Sequence, residues 1–281
     1  MIAITYSTKY TKFMSALLLT LFTNCTLYTK SACIIVHGTW SQDSSWYRPA
    51  GDFFSALESC NKEIELVDEI IPFSWSGKLG HPAQLQAAQE LEKVIQEYDF
   101  VIIVAHSHGA TVGMICSQIL FSNDTNGNNL AKIKRFYSLG VPVNESTVTP
   151  NMSVVKKFYN LFSFGDHVQT VHGMYERIFT NVYGIYNLSV ELFGKHPSHT
   201  QLHHPAVGAF LLKIDDYFAE KKLGNFHECQ SSFPGNITFF DYQYPQYHVQ
   251  HNQEELLAAD KQSYNLAALA FFRTHTLCHD R

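Results

Sequence analysis

The sequence predicts an α/β fold built on a doubly wound, mostly parallel sheet with helices on both faces. Two short apolar runs rich in β-branched residues, typical of strands buried on both faces, fall at 32–36 and 100–104. A further strand is predicted at 67–73, where Pro72 indicates the end of the strand or an edge of the sheet. Between them, the segments 46–59 and 82–98 carry apolar residues at helical spacing. Strands that alternate with helices in this way favour parallel pairing, with the crossover helices packed on the sheet.

The composition is that of a folded chain of 281 residues, of which 46% are hydrophobic and 16% are charged. This content excludes a disordered chain, and the length is sufficient for one full domain. The net charge of −5 provides no basic surface, so nucleic acid is not expected as a partner. The 15 histidines show no zinc-binding spacing, so no metal and no other cofactor is predicted.

The N-terminal segment has the pattern of an export signal. Two lysines precede an apolar stretch, 13–22, that has the length of a signal h-region and is too short for an ordinary membrane span. Lipidation at Cys25, an uncleaved anchor and an apolar first helix are the alternatives. We therefore predict that residues 1–32 form an export signal or anchor, and that the protein is secreted, periplasmic or membrane-anchored.

The strand predicted at 100–104 ends in Ala105-His106-Ser107-His108-Gly109, and a helical pattern follows. A serine at the tip of a strand–turn–helix unit is the context that a nucleophile elbow requires. The usual form is G-x-S-x-G, and alanine at the first position is a mild departure, because strand and helix pass close together there. An ordinary strand–helix connection that contains Ser and Gly is the alternative.

On this elbow the chain resembles the α/β-hydrolase superfamily, and within it small lipases and esterases with an A-H-S-x-G elbow. The resemblance implies an oxyanion loop before the elbow, an acid after it and a histidine later still. His37-Gly38-Thr39 follows the first predicted strand and matches the oxyanion loop. The backbone N–H groups of Thr39 and His108 are therefore the expected oxyanion donors, and His37 is expected to be structural.

The resemblance also assigns the acid and the base. Asp166 follows the strand predicted at 154–164, where the family carries the acid that orients the histidine. A turn or N-cap aspartate is the alternative. His199 lies in a piece that resembles the family's S-H-x-x-L form and is the expected base. His203 is the second candidate, and His203 and His204 alternatively cap or line the next helix.

The remaining segments complete the predicted domain. Residues 170–184 form either a lid or acyl-binding wall over the cleft or an excursion packed on the core. The last strand of the sheet is predicted at 185–193 and the closing helix at 205–218. A hydrolase domain then spans 33–222, followed by a C-terminal extension of unassigned role. That extension, 223–281, contains a strand pattern at 237–242 and a helix pattern at 254–272, and an extra sheet edge, a packing arm and a partner surface are the alternatives for it. It also contains Cys229 and Cys278, and a disulfide there would suit an exported protein, although the sequence does not give the pairing.

The resemblance implies a serine hydrolase that cleaves carboxylic esters or lipids through Ser107, His199 and Asp166. The expected partners are a small-molecule ester or lipid and a membrane or lipid surface. Two alternatives stay open. One is an acyltransferase or thioesterase on the same triad, and the other is a catalytically silent hydrolase fold used as an exported binding protein. The oligomeric state is not predicted.

Overall fold

The computed structural model describes residues 29–169, 176–180, 182–215, 230–233 and 237–241. The strands are β1 (Ser31–Val36), β2 (Glu69–Phe73), β3 (Phe100–His106), β4 (Ile133–Leu139), β5 (Phe158–Phe162), β6 (Ile185–Leu192), β7 (Gln230–Phe233) and β8 (Ile237–Asp241). The helices are α1 (Asp52–Ile64), α2 (His81–Gln96), α3 (His108–Ser122) and α4 (Pro205–Leu211), with a 3₁₀ helix at His199–His203.

The described strands form one sheet in the order β2-β1-β3-β4-β5-β6-β8-β7. Pairing is parallel from β2 through β6 and antiparallel for β6–β8 and β8–β7. The strand order reverses between β1 and β3, and the carboxyl ends of strands at such a switch point flank the crevice where ligands bind in open α/β sheets. The predicted α/β class is confirmed: the described strands form a doubly wound, mostly parallel sheet flanked by helices.

Both faces of the central strands are buried, which explains their continuous apolar runs. Along β1 and β3, Ile34 and Ile103 belong to one core, which also contains residues of α2 and α3. Ile35 and Val104 point the other way, into a core that contains residues of α1 and α4. Burying both faces in this way holds the strand ends, and the loops that follow them, in fixed positions.

Several element boundaries differ from the predictions; helix α1, for example, ends at Ile64 rather than at 59. Helix α1 begins at Asp52 rather than at 46, because the preceding residues form turns and a Cβ on Gly51 would lie 2.0 Å from the Ser45 carbonyl oxygen. Strand β5 begins at Phe158 rather than at 154, since a turn precedes it. Helix α4 ends at Leu211, and the predicted continuation beyond residue 215 lies outside the described residues.

The prediction that 185–193 is the last strand of the sheet was wrong. Strand β8 pairs antiparallel with β6, from Leu188 opposite Asp241 to Leu192 opposite Ile237, and β7 pairs with β8. The strand expected at 237–242 is thus present, and it extends the sheet from within the segment predicted as an extension. The edge of the sheet was placed at 185–193 because an antiparallel return strand needs no crossover helix, so no helical pattern in the sequence indicates that another strand follows.

Several predictions fall on residues outside the described ranges. These are the export signal up to residue 28 with Cys25, the cysteines Cys229 and Cys278, and the helix at 254–272. Within the described ranges, none of the helices combines the length and the apolar character needed to span a bilayer.

Candidate active site

Ser107 occupies the turn between β3 and α3 with φ 53° and ψ −132°. A positive φ is rare for a residue with a side chain and costs about 1–3 kcal/mol, which the surrounding structure must offset. Its N–H donates to the Leu139 carbonyl at 2.9 Å, and its carbonyl accepts from the Ala110 N–H at 2.9 Å. The end of β4 and the first turn of α3 therefore hold the serine in this conformation.

Two glycines permit the close packing around Ser107. A Cβ on Gly109 would lie 2.3 Å from the His37 carbonyl oxygen, because α3 passes directly against the end of β1. A Cβ on Gly38 would lie 2.9 Å from the Ser107 Cβ. Real Cβ atoms essentially never show contacts under 3.0 Å, so a side chain at either position would force its neighbours to shift. The loop after β1 therefore lies against the elbow, as the sequence motifs predict.

His37 anchors this loop to the segment after β2. The Trp75 N–H donates to His37 Nε2 at 3.2 Å, and the Trp75 indole donates to the His37 carbonyl at 2.8 Å. The Nδ1–H of the His37 ring then donates to the Gly38 carbonyl at 2.7 Å. Burial lowers the pKa of His37, so its ring is neutral near pH 7. These bonds give His37 a structural role.

The structure brings together Thr39 and His108, the two residues expected to supply oxyanion donors. The Thr39 hydroxyl Oγ1 lies 2.9 Å from Nδ1 of the His108 ring, which forms a hydrogen bond across 69 positions of sequence. Burial lowers the pKa of His108, and the neighbouring His199 lowers it further. Sequence reasoning assigned only backbone roles to these residues and missed the bond between their side chains.

Asp166 and His199 form a hydrogen-bonded pair at the carboxyl-end edge of the sheet. His199 Nδ1 lies 2.7 Å from Asp166 Oδ2, and the Asp166 side chain has no exposed surface. The other carboxylate oxygen accepts from the backbone N–H groups of Val168 at 2.9 Å and Gln169 at 3.3 Å. The carboxylate is thus fixed by backbone on one oxygen and presents the other to the imidazole.

Gly140, directly after β4, lies beneath this pair at φ +65°. A Cβ there would come within 2.9 Å of Asp166 Oδ2 and 3.2 Å of His199 Nδ1. Any side chain would therefore press on the hydrogen bond as well as strain the backbone. In the sequence, Gly140 begins a Gly-Val-Pro stretch directly after β4, which is the local signal for this turn.

His106, the residue before Ser107, connects the elbow to the His199 loop. Because a carbonyl only accepts, His106 Nε2 carries the proton that it donates to the His199 carbonyl at 3.0 Å. The two imidazole rings lie 4.5 Å apart. Burial lowers the pKa of His106 well below its usual value, and the nearby His199 and His203 lower it further. Sequence reasoning gave this residue no role, although the elbow motif contains it.

The other two candidate histidines, His203 and His204, have different surroundings. His203 stacks on Trp46, with ring centroids 4.4 Å apart and an interplanar angle of 11°. Burial is the main cause that lowers the pKa of His203 to about 4. His204 Nδ1 accepts from the Ala206 N–H at 3.1 Å and caps α4. Of the three candidates for the base, the structure pairs His199 with Asp166.

Within the described part of 170–184, Phe179 packs on the core. Phe179 is buried, and its N–H donates to the Asn187 side chain at 2.9 Å. Residues 170–175 and 181 lie outside the described ranges, so the lid or acyl-binding wall stays a prediction. Tyr183, just before β6, is 87% exposed.

The described residues also include three cysteines. Cys33, Cys60 and Cys116 are buried free thiols, and burial raises the pKa of each, so none is a thiolate at neutral pH. Within the same ranges, no group of three or more His, Cys, Asp or Glu side chains is arranged to hold a metal ion.

Comparison with known proteins yields distant structural likenesses. A protein of Xanthomonas campestris pv. campestris, assigned to the hydrolases of the alpha/beta superfamily, aligns over 65% of this chain and 98% of its own with 12% identity and a TM-score of 0.38. An extracellular alpha/beta-hydrolase from a Paenibacillus species, which shares structural and functional homology with tobacco salicylic acid binding protein 2, aligns over 40% of this chain and 41% of its own, with 16% identity and a TM-score of 0.26. No protein-family model matches the sequence, and a search of curated proteins finds no significant match.

Proposed function

We propose that the protein is a serine hydrolase that cleaves carboxylic esters, including lipids, through an acyl-enzyme on Ser107. The observation that carries the proposal is the buried Asp166–His199 pair, with a 2.7 Å hydrogen bond, held against the strained elbow at Ser107. His106 contributes the link, since it precedes the serine in the chain and donates to the His199 backbone. Strained backbone at a buried, titratable cluster is a recurring property of catalytic sites.

In the acylation step, the Ser107 hydroxyl oxygen attacks the acyl carbon while His199 Nε2 takes its proton. The substrate carbonyl oxygen becomes negatively charged and accepts from the N–H groups of Thr39 and His108. The carbon–oxygen bond to the leaving group then breaks, and His199 returns the proton to that alkoxide. Asp166 keeps Nδ1 protonated and stabilises the imidazolium as it forms.

In the deacylation step, water repeats the sequence in place of the serine. His199 takes a proton from water as its oxygen attacks the acyl-enzyme, and the same two N–H groups stabilise the second oxyanion. Release of the carboxylic acid restores the Ser107 hydroxyl. An acceptor other than water would make the same steps an acyl transfer, which keeps the acyltransferase as an alternative.

Apolar side chains around the site support an apolar acyl group. Five of the large hydrophobic residues exposed in the described ranges lie in loops that follow strand carboxyl ends, the edge that also carries Ser107. These residues, with exposures from 46% to 78%, are Trp40, Leu79, Phe164, Val168 and Phe193. Large exposed apolar groups gathered at one edge are typical of contacts with apolar ligands or lipid.

Hydrolysis of p-nitrophenyl butyrate and p-nitrophenyl palmitate by the full chain tests the proposal. We expect Ser107→Ala and His199→Ala to lower kcat/KM by about 10³-fold or more, with the palmitate ester favoured over the butyrate ester. A fluorophosphonate probe should label the wild-type chain and fail to label Ser107→Ala. Gln86→Ala, on the exposed face of α2, is the matched control and should behave as wild type.

Two results would redirect the proposal. Wild-type protein that is folded, inactive on both esters and unlabelled by the probe would favour the binding-protein alternative. Loss of activity in Ser107→Ala alone, with His199→Ala fully active, would move the base to another histidine.

A further inference from the structure

The side chain of His108 joins the two segments that supply the proposed oxyanion donors. Its Nδ1 lies 2.9 Å from the Thr39 hydroxyl, while Thr39 belongs to the loop after β1 and His108 begins α3. The residues that present the two N–H groups are thus hydrogen-bonded to each other through their side chains. The distance between the two backbone donors depends on how these segments are held together.

Other hydrogen bonds at Thr39 and its peptide unit lie within the loop itself: the Gly38 carbonyl accepts from the His37 ring, and the Thr39 carbonyl accepts from the Ser41 hydroxyl. His37 is held by Trp75 and by the close approach of Gly109, whereas Trp40 is 78% exposed with φ 56°. The Trp40 N–H donates to the Gly77 carbonyl at 3.0 Å, which ties the far side of the loop to another loop rather than to the elbow. The bond to His108 therefore joins Thr39 itself to the elbow.

The His108 ring is suited to this task because it is neutral. Burial lowers its pKa, and the proximity of His199 lowers it further. A neutral ring retains the hydrogen bond in either tautomer, since a hydroxyl both donates and accepts. It also avoids placing a second positive charge beside His199 when that ring becomes an imidazolium.

We propose that His108 is a positioning residue whose ring, through the Thr39 hydroxyl, sets the spacing of the two oxyanion N–H groups. The proposal rests on the proposed function and deepens it. Loss of one oxyanion donor costs about 10²–10³-fold in kcat in other hydrolases, so a displaced donor is expected to cost part of that. Displacing the donor should lower kcat and leave KM nearly unchanged, because the negative charge on the carbonyl oxygen exists only in the transition state.

The test compares His108→Leu, His108→Asn, Thr39→Val, Thr39→Ser and the double variant His108→Leu/Thr39→Val in the full chain. His108→Leu and Thr39→Val should each lower kcat by about 10–100-fold with KM within about twofold. The double variant should lose no more than the worse single variant, since both remove the same bond. His108→Asn, which keeps a polar atom at the Nδ1 position, and Thr39→Ser should recover most of the loss.

A second readout separates positioning from folding. The rate of fluorophosphonate labelling should fall in parallel with kcat, while the thermal unfolding midpoints of the leucine and valine variants stay near that of their asparagine and serine counterparts. Multiplicative losses in the double variant, unchanged kcat in His108→Leu, or failure of both conservative variants to recover activity would overturn the inference. An inactive and unlabelled wild-type chain would instead overturn the proposed function, so the two failures are distinguishable.

Discussion

Two aspartates at opposite ends of β5 show how the same side chain is used in two ways. Asp166 follows the carboxyl end of β5 and bonds to backbone N–H groups and to His199. Asp215 lies near the start of β5, where it bonds to Lys157 and Tyr159 and pairs with Arg135 at 2.9 Å. Both carboxylates are largely or fully removed from water.

The two aspartates differ in the charge of the side chains that they contact. Asp215 faces two permanent cations, and although burial raises its pKa, the hydrogen bonds from Lys157 and Tyr159 and the charge of Arg135 outweigh this and lower it overall. Asp166 faces the imidazole of His199, the ring proposed to accept and return a proton. A carboxylate with fixed counter-charges stabilises the fold, whereas one paired with an imidazole can orient that ring and stabilise its protonated form. Exchanging charge for an amide at each aspartate should therefore produce opposite outcomes.

The largest effect is expected for Asp166→Asn. An amide at this position donates as well as accepts, so it favours the wrong tautomer of His199 and no longer stabilises an imidazolium. We expect kcat for p-nitrophenyl butyrate to fall by about 10⁴-fold, with a smaller change in the free energy of unfolding. Steady-state kinetics beside urea denaturation measures both. A variant that stays within tenfold of wild type would remove Asp166 from the mechanism.

Asp215→Asn should show the reverse pattern. It leaves Arg135 and Lys157 without their anion, so the free energy of unfolding should fall by about 3 kcal/mol while the folded protein keeps its activity. Because the pKa of Asp215 is lowered from 3.8 in the folded state, its contribution is present above pH 3.8 and is lost as the pH falls through the folded value. The difference from wild type should therefore be constant near neutral pH and shrink below pH 3.8, as followed by urea denaturation. A difference that grows in acid would contradict this account.

A moderate effect on activity is expected at His106. Its contact with His199 is a hydrogen bond to the backbone carbonyl, whereas the Asp166 carboxylate contacts the His199 ring. His106→Leu removes the donor to the His199 carbonyl and should lower kcat/KM by about tenfold. His106→Gln offers an amide N–H near the Nε2 position and should recover most of that loss. Kinetics on both variants, with thermal unfolding as the control for folding, decides the point. Equal activity of the leucine and wild-type proteins would show that packing alone holds the base.

The smallest effect on activity is expected for His203→Phe, which keeps the stacking on Trp46. The pKa of His203 is lowered from 6.5 to about 4. Between these two pH values the folded state therefore binds fewer protons than the unfolded state. Its contribution to stability is complete above pH 6.5 and is lost as the pH falls toward 4. The variant should lose less stability than wild type over that interval in urea denaturation, with kcat/KM within about twofold. A collapse of activity would identify His203 as the base.

Much of the fold was predictable because its signals are local. The buried strands and the helices that alternate with them follow from apolar periodicity, and the positions of Ser107 and Thr39 follow from short motifs at strand ends. The boundaries that were wrong, at Asp52 and Phe158, lie where turns pack apolar residues without helical or strand backbone. Apolar periodicity reports which residues are buried. A buried residue in a turn gives the same signal as a buried residue in a helix or strand.

The sequence by itself determined the α/β order of elements and a set of candidate side chains at the carboxyl ends of the strands, since both depend on neighbouring residues. Only the tertiary structure decided which histidine meets Asp166, that His108 bonds to Thr39, and that β8 and β7 extend the sheet beyond β6. Each of these contacts joins residues tens of positions apart, and their pairing depends on how the loops close over the sheet. The spacing of residues along the chain does not determine these contacts, because the packing of the whole core sets where each loop lies.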